Sequence, residues 1–368
     1  MNGFRRHMAL PARLMLSLTL SVALILPVAV APVAAAPPSC TVPAGQALID
    51  SGQYTKAIQA FSCVINANPT GADGYRGRIE AEILMGRYSD GVSDYQRVMA
   101  FVVPADPSAE SKILAGYAAR LATNPSDLKA LTGRTFAQWW FWHYIDAAQT
   151  ADILLSVKPS DPFATLFRGS SRALKGNARA KAVADFENAI ALDPANPNVR
   201  VIVADGYTYG PGLKNPQRAF DEASLALAWG LDTPRVHAIL ATSYAAFGDV
   251  AAAAFHINRS IELVTVNLVT TAPLAVGGSL SLDLVPGRVY AIPVTTTQGE
   301  AVSIETSSPT IWDSIAVLVA PDGTPIVGSD DTNAYMAAFD WVAPQSTTYT
   351  LLVTSFEAVS TGTLVVTR

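Results

Sequence analysis

The sequence predicts a two-part chain, an α-helical solenoid of repeated hairpins followed by an all-β sandwich. Three observations carry this reading. Gly52, Tyr54, Ala57, Ile58, Phe61 and Val64 are answered 34 residues later by Gly86, Tyr88, Gly91, Val92, Tyr95 and Val98. A return of small and aromatic residues at one period marks stacked copies of one supersecondary unit, which cannot bury its apolar face alone. Ala57, Ile58, Phe61, Val64 and Ile65 also form one apolar stripe at helical spacing. After Val264 the composition turns to Val, Thr, Ser, Gly and Pro in short alternating runs, the pattern of strands.

Residues 1–35 read as an export signal. Arg5, Arg6 and Arg13 form a positive start, an apolar run follows from Leu14 to Leu26, and Val33-Ala34-Ala35 offers small residues for cleavage. Pro27 and Pro32 interrupt the apolar stretch, which argues against a retained membrane anchor. The mature chain is therefore expected in the periplasm, the extracellular envelope or the medium, without membrane insertion. Cys40 and Cys63 are the only cysteines, and in an exported chain such a pair is most simply a disulfide, which would pin the new N-terminus onto the first helical hairpin.

Residues 36–264 form the helical part, with six hairpins between about Cys40 and Val264 and one extra helix near Ser108–Thr123. Gly52 and Gly86 stand where the chain reverses between antiparallel helices, and glycine takes the left-handed conformation such a turn needs. Pro69 ends the second helix. A strong later copy carries Arg168-Gly169, Gly176, Ala182, Asp185-Phe186, Ala189 and Asp193-Pro194, and the last carries Leu240-Ala241, Tyr244, Gly248-Asp249, Ala253 and Ile261. Two weaker copies span about Ser126–Pro159 and Asn196–Leu231, the second with a longer turn at Gly210–Pro216. The glycine–x–tyrosine turn, the small residue three places on, the following aromatic and the terminal proline resemble the tetratricopeptide repeat (TPR) family. That resemblance implies a groove that holds a protein or peptide partner.

Residues 265–276 read as an extended linker, and residues 277–368 as the β part. Leu280–Leu284 alternates, Val289–Val294 and Ala301–Glu305 are short β runs, and Ile315–Val319 is apolar throughout, as a buried strand would be. Pro321-Asp322-Gly323 suits a tight turn. Six to eight short strands in this length point to a sandwich. Asp313 ahead of the apolar strand, the Pro-Asp-Gly turn, Gly328-Ser329-Asp330-Asp331 and Ala343-Pro344 before Thr348-Tyr349-Thr350 resemble the bacterial pre-peptidase C-terminal (PPC) domain. That family is appended to secreted hydrolases, and some of its members bind calcium. Here a repeat array stands where a peptidase would. Calcium ligation by Asp313, Asp330 and Asp331 and plain solubilising charge are both open readings.

Charge excludes some partners. The chain carries 25 Lys+Arg and 30 Asp+Glu, a net charge of −5, which becomes −8 once Arg5, Arg6 and Arg13 are lost. From Gly277 onward only Arg288 and Arg368 face nine acidic residues. An acidic chain without a basic run should repel nucleic acid and anionic membrane.

Trp139-Trp140-Phe141-Trp142-His143-Tyr144 is the densest aromatic cluster, and alignment to the repeat puts Trp142 near the inter-helix turn, where glycine is usual. Consecutive helical positions point all round the helix, so these rings cannot all enter one core face. Trp139, Trp140, Trp142 and Tyr144 are the candidate partner-binding residues, against the alternative of a locally bulky core. Arg168 and Arg172 share a helix face and suit a peptide carboxylate, or are an ordinary solvated face. Catalysis finds no constellation. His143, His237 and His256 show no His-Glu-x-x-His spacing, and neither a Gly-x-Ser-x-Gly elbow nor a phosphate-binding Gly-x-x-x-x-Gly-Lys occurs. The expectation is a non-enzymatic, exported scaffold without a required cofactor and of open oligomeric state. The alternatives are a carbohydrate- or surface-binding protein acting through the β part, and an accessory subunit of a secreted hydrolase.

Overall fold

A computed structural model describes residues 39–98, 102–176, 178–285, 287–310, 313–330, 335–356 and 362–368. The export segment read over residues 1–35 lies outside them. Among the described residues six helical hairpins follow one another: α1 (Val42–Asp50) with α2 (Tyr54–Ala67), α3 (Ala72–Leu84) with α4 (Tyr88–Arg97), and α7 (Leu128–Trp140) with α8 (Tyr144–Val157). Then come α9 (Pro162–Lys175) with α10 (Arg179–Leu192), α11 (Pro197–Tyr209) with α12 (Pro216–Ala228), and α13 (Pro234–Phe247) with α14 (Val250–Val264). A single turn α5 (Val103–Ala105) and the extra helix α6 (Ala109–Thr123) separate the second hairpin from the third. This is the expected hairpin order.

Local chemistry sets the helix starts. Asp161, Asn196, Asn215 and Thr233 each cap a helix by accepting from a backbone N–H in its first turn, and each is followed by proline at the first helical position. Proline lacks only an N–H that the first turn leaves unpaired, so its fixed φ favours the helix at no cost in hydrogen bonds. First helices of successive hairpins touch in the order α1, α3, α7, α9, α11, α13, and α6 packs beside α3 and α7. One apolar core runs from Ile65 to Leu240 through all the later hairpins. The path is tightly wound: the Ser89 N–H at the start of α4 donates to Asn198 Oδ1 at the start of α11 (3.0 Å).

The β part holds nine strands among the described residues: β1 (Asn267–Thr270), β2 (Ser279–Leu284), β3 (Arg288–Thr296), β4 (Ala301–Ser307), β5 (Ser314–Val319), β6 (Pro325–Ser329), β7 (Ala338–Val342), β8 (Thr347–Ser355) and β9 (Gly362–Thr367). They form a five-stranded sheet ordered β1-β3-β8-β5-β6 and a four-stranded sheet ordered β2-β9-β4-β7. Leu282, Leu284, Ile292, Val302, Ile304, Leu318, Leu351 and Leu364 close the core between the sheets. β1 pairs in parallel with β3, Asn267 opposite Arg288, so part of the segment expected as a linker is a sheet strand.

The second face of the larger sheet is covered too. Val289, Ile315, Val317 and Phe356 share a core with Ala238 and Ala241 of α13 and with Ala254, Ile257 and Ile261 of α14. β5 therefore lies between α14 and the other sheet, which is the physical reason for its unbroken apolar run. Side chains alternate across a strand, so Ile315 and Val317 meet the helices while Ala316 and Leu318 meet the sandwich core. From residue 39 onward the described chain is one compact unit.

Candidate functional site: an aromatic turn and its cleft

The site begins with the turn joining α7 and α8. In the first, second, fourth and sixth hairpins the reversal is made by Gly52, Gly86, Gly176 and Gly248, with φ between 73° and 80°. Trp142 occupies that place in the third hairpin at φ 63°. The hydrogen bonds are those of the glycine turns. The Trp142 N–H donates to Trp139 O (3.2 Å) and the His143 N–H to Gln138 O (2.8 Å), as Gly86 does to Ile83 O (3.1 Å) and Arg87 to Glu82 O (3.0 Å). A side chain in the left-handed region crowds its own backbone, a strain of about 1–2 kcal/mol. Trp142 and Tyr335 are the two non-glycine residues with positive φ among the described residues, and both are exposed aromatics, 72% and 56%.

The flanking rings divide between core and surface. Trp139 is buried, its Nε1 donates to Ser170 Oγ (2.9 Å), and it packs edge-on against Phe167 (5.1 Å). Trp140 is half-buried and stacks on Tyr95 (5.8 Å), which also meets Phe141 edge-on (5.4 Å). The helix thus presents rings to hairpins on either side of it, an arrangement open to it because it lies between two packed neighbours. Trp142 points to solvent, and Ile145 in the first turn of α8 is 53% exposed.

Trp139 and Trp140 border a cleft of about 80 Å³ lined also by the apolar Val92, Val201, Ile202 and Pro234 and by the polar Ser89, Asp90, Ser93, Asp205, Thr233 and Arg235. Arg235 Nε donates to buried Asp205 (2.8 Å), and its guanidinium lies over Tyr209 (5.2 Å) and over Phe356 of the β part (5.9 Å). Tyr144 sits at this junction. Burial, then the nearby Asp205 carboxylate and Tyr335, push its hydroxyl up to about 12. Tyr144 and Arg172 line a separate shallow groove with Asp152, Lys175 and Lys181.

Arg168 and Arg172 are engaged within the chain. Both hold buried Asp185, at 2.6 and 2.5 Å, and Arg168 also reaches Asp152 (2.8 Å). The second hairpin repeats the device, with Arg78 paired to buried Asp94 (Nη2–Oδ1, 2.6 Å). Arg78 precedes Gly86 by eight residues and Arg168 precedes Gly176 by eight. That register was visible in the sequence, and it marks the arginine as a brace between the two helices of a hairpin.

In the β part Asp313 directly precedes β5 and Asp330 directly follows β6. The antiparallel register, Ala316 opposite Ser329, puts both at one end of the sheet. Asp331 lies outside the described residues. Among the described residues no three His, Cys, Asp or Glu side chains gather as metal ligands. Cys40 and Cys63 form a disulfide with their Cα atoms 5.3 Å apart. No helix among the described residues is long and apolar enough to cross a membrane.

Sequence reasoning passed over a buried polar chain in the last hairpin. His237 Nδ1 lies 2.7 Å from His256 Nδ1, and His237 Nε2 lies 2.7 Å from Asp232 Oδ1. The signal was weak: the two histidines stand 19 residues apart, a spacing tied to no ligand motif.

No family model matches the sequence, and the comparison with curated proteins gives no match. Among solved structures, a tetratricopeptide repeat protein from Parabacteroides merdae aligns at 16% identity and TM-score 0.37, over 60% of this chain and 77% of its own. A thermophilic TPR protein of Thermus thermophilus aligns at 17% and 0.34, over 55% of this chain and 97% of its own. Pseudomonas aeruginosa PilF aligns at 15% and 0.33, over 60% and 89%. The fold itself is read from the hairpins and sheets: a TPR-like helical solenoid followed by a β-sandwich.

Proposed function

We propose that this chain is an exported, non-enzymatic scaffold that holds a protein or peptide partner on the third hairpin. Trp142 and Ile145 form the exposed anchor, and the cleft beside Trp139 and Trp140 takes an apolar side chain of the partner. The helical region 36–264 supplies the contact, and the β region 277–368 acts as its extracellular accessory. The observation that supports this reading is Trp142 itself. It carries left-handed backbone strain where its repeat equivalents are glycine, and it leaves 72% of its surface in water. Neither feature helps the folded monomer, whereas exposed Trp is enriched among residues that dominate interfaces.

The test is partner capture on immobilised full-length protein, wild type against Trp142→Gly, from culture medium and envelope extract. Proteins held by the wild type should be lost, by tenfold or more, from the variant. Equal retention by a folded Trp142→Gly chain would remove Trp142 as the anchor.

A further inference from the structure

We propose that Asp232, His237 and His256 form a pH-sensitive latch that clamps α13 to α14 at neutral pH and releases them in acid, loosening the β part from the solenoid. The two imidazoles face each other through Nδ1 atoms 2.7 Å apart, so one nitrogen carries the hydrogen and the other a lone pair. Asp232 Oδ1 accepts from His237 Nε2 at 2.7 Å, which leaves neutral His237 with a bare Nδ1. The His256 Nδ1–H is then the donor, and His256 Nε2 is bare. A first added proton goes to that Nε2 and leaves the contact intact. A second has only His237 Nδ1 to bind, where two N–H groups would face each other at 2.7 Å. The doubly charged pair must therefore open.

The surroundings oppose charge on this pair. His237 and His256 are 3% and 9% exposed, and His256 lies between the His237 ring (5.0 Å) and the Tyr244 ring (5.4 Å). Burial first, then His237, pulls His256 down to about 4; burial also lowers His237, against the opposing pull of Asp232. The other charged groups nearby are Arg259 and Glu262 on α14, Arg259 being tied to Asp232 (2.6 Å). Arg235 on α13 is held by Asp205 of α11, and Glu222 of α12 by Arg200 and Arg218. Asp221 of α12 accepts from Gln217, and β5 and β6, on the far side of α14, carry no charged side chain between their ends.

The position gives the latch its consequence. α13 and α14 together carry Ala238, Ala241, Ala254, Ile257 and Ile261, which share a core with the larger sheet. Separating the two helices splits that contact. Both histidines bind protons less readily in the closed state than a free imidazole of pKa about 6.5. Closure is therefore fully favoured above that pH and weakens as pH falls toward the folded values. Two linked protons give an opening equilibrium that rises by up to about a hundredfold per pH unit, and one proton by about tenfold.

The experiment is amide hydrogen exchange on the full chain from pH 7.5 to 4.5, corrected for intrinsic exchange, with α9 and α10 as internal reference. Protection in α13 and α14 should fall more steeply than tenfold per pH unit below about pH 6, ahead of the reference helices. His256→Asn keeps a neutral donor toward His237 and should fall no more steeply than tenfold. Equal slopes in wild type and variant, or loss of protection in step with α9 and α10, would overturn the latch. Should the variant not fold, carbon-13 histidine titration of the wild type decides. Proton uptake by both rings together with the loss of protection supports the proposal, and independent midpoints near pH 6.5 without it refute it.

Discussion

Replacing Trp142 by glycine separates strain from function. The left-handed backbone at φ 63° costs a side chain about 1–2 kcal/mol. Glycine removes that strain but adds unfolded-chain freedom of about 0.5–1 kcal/mol, for a net gain of about 1 kcal/mol. Against it stands the lost contact of the covered part of the residue. With 72% exposed, that is on the order of 50 Å² of apolar surface, or about 1 kcal/mol. Trp142→Gly should thus lie within about 1 kcal/mol of the wild type, a melting shift of no more than about 3 °C. Trp142→Ala loses the same contact and keeps the strained φ, so it should fall about 1 kcal/mol below Trp142→Gly in urea unfolding. Both should lose partner retention equally, by about 2 kcal/mol or roughly thirtyfold. Trp139→Ala, by contrast, removes a buried ring packed on Phe136 and Phe167 and should cost about 3–5 kcal/mol. If Trp142→Gly is destabilised as much as Trp139→Ala, the ring belongs to the core. An alanine variant more stable than the glycine variant, by the about 0.5–1 kcal/mol that glycine loses through its freer unfolded chain, would mean that no strain is stored there.

Three further outcomes follow from the geometry. Replacing Cys40 and Cys63 by serine opens a loop with a sequence separation of 23 and should cost about 3 kcal/mol, read by urea unfolding and by faster proteolysis confined to the first hairpin. Asp185→Ala leaves Arg168 and Arg172 facing only Asp152 and should destabilise by about 2–4 kcal/mol, whereas Arg172→Ala should cost about 1 kcal/mol; neither should weaken partner retention if these groups are braces. Buried Glu82 is pushed up to about 8 by burial, then by Asp94 and Asp90, so the stability it permits is full below about pH 4.5 and drains away as pH rises toward 8. Glu82→Gln should therefore gain on the wild type through that window by about 1 kcal/mol per pH unit; thermal melts at pH 4.5 and 8 showing a constant difference would contradict this.

What the sequence revealed and what it hid have separate physical causes. Glycine at the hairpin turns and proline at the helix starts act through their own backbones, so hairpin number and turn positions could be read directly. Trp142 was legible for the same reason, since an aromatic stood where the repeat demands a left-handed residue. The fate of Trp139, Trp140 and Phe141 was not legible, because it depends on rings from neighbouring hairpins, Tyr95 before them and Phe167 after. The engagement of Arg168 and Arg172 with Asp185 depends likewise on which helix faces which. β5 shows the limit from the other side: its apolar run told of a buried strand, but not that one of its faces would be covered by α14.

That covering helix explains how the solenoid ends. A repeat array leaves an apolar face open at each terminus, and each must be closed for the array to be soluble. At the first hairpin the closure is covalent and polar. The disulfide ties Cys40 to α2, and Lys129 Nζ donates to the last carbonyls of α1, Ile49 O (2.8 Å) and Asp50 O (2.9 Å), where a cation suits the helix dipole. At the last hairpin the usual polar cap is replaced by a sheet. Small residues Ala238, Ala241 and Ala254 let α13 and α14 approach closely, and Ile257 and Ile261 meet Ile315, Val317 and Phe356 across the contact. A sheet whose outer face is apolar and an array whose end is apolar each complete the other. The β part is then the structural terminus of the helical array, and the histidine pair inside the final hairpin sits where a change in charge acts on both at once.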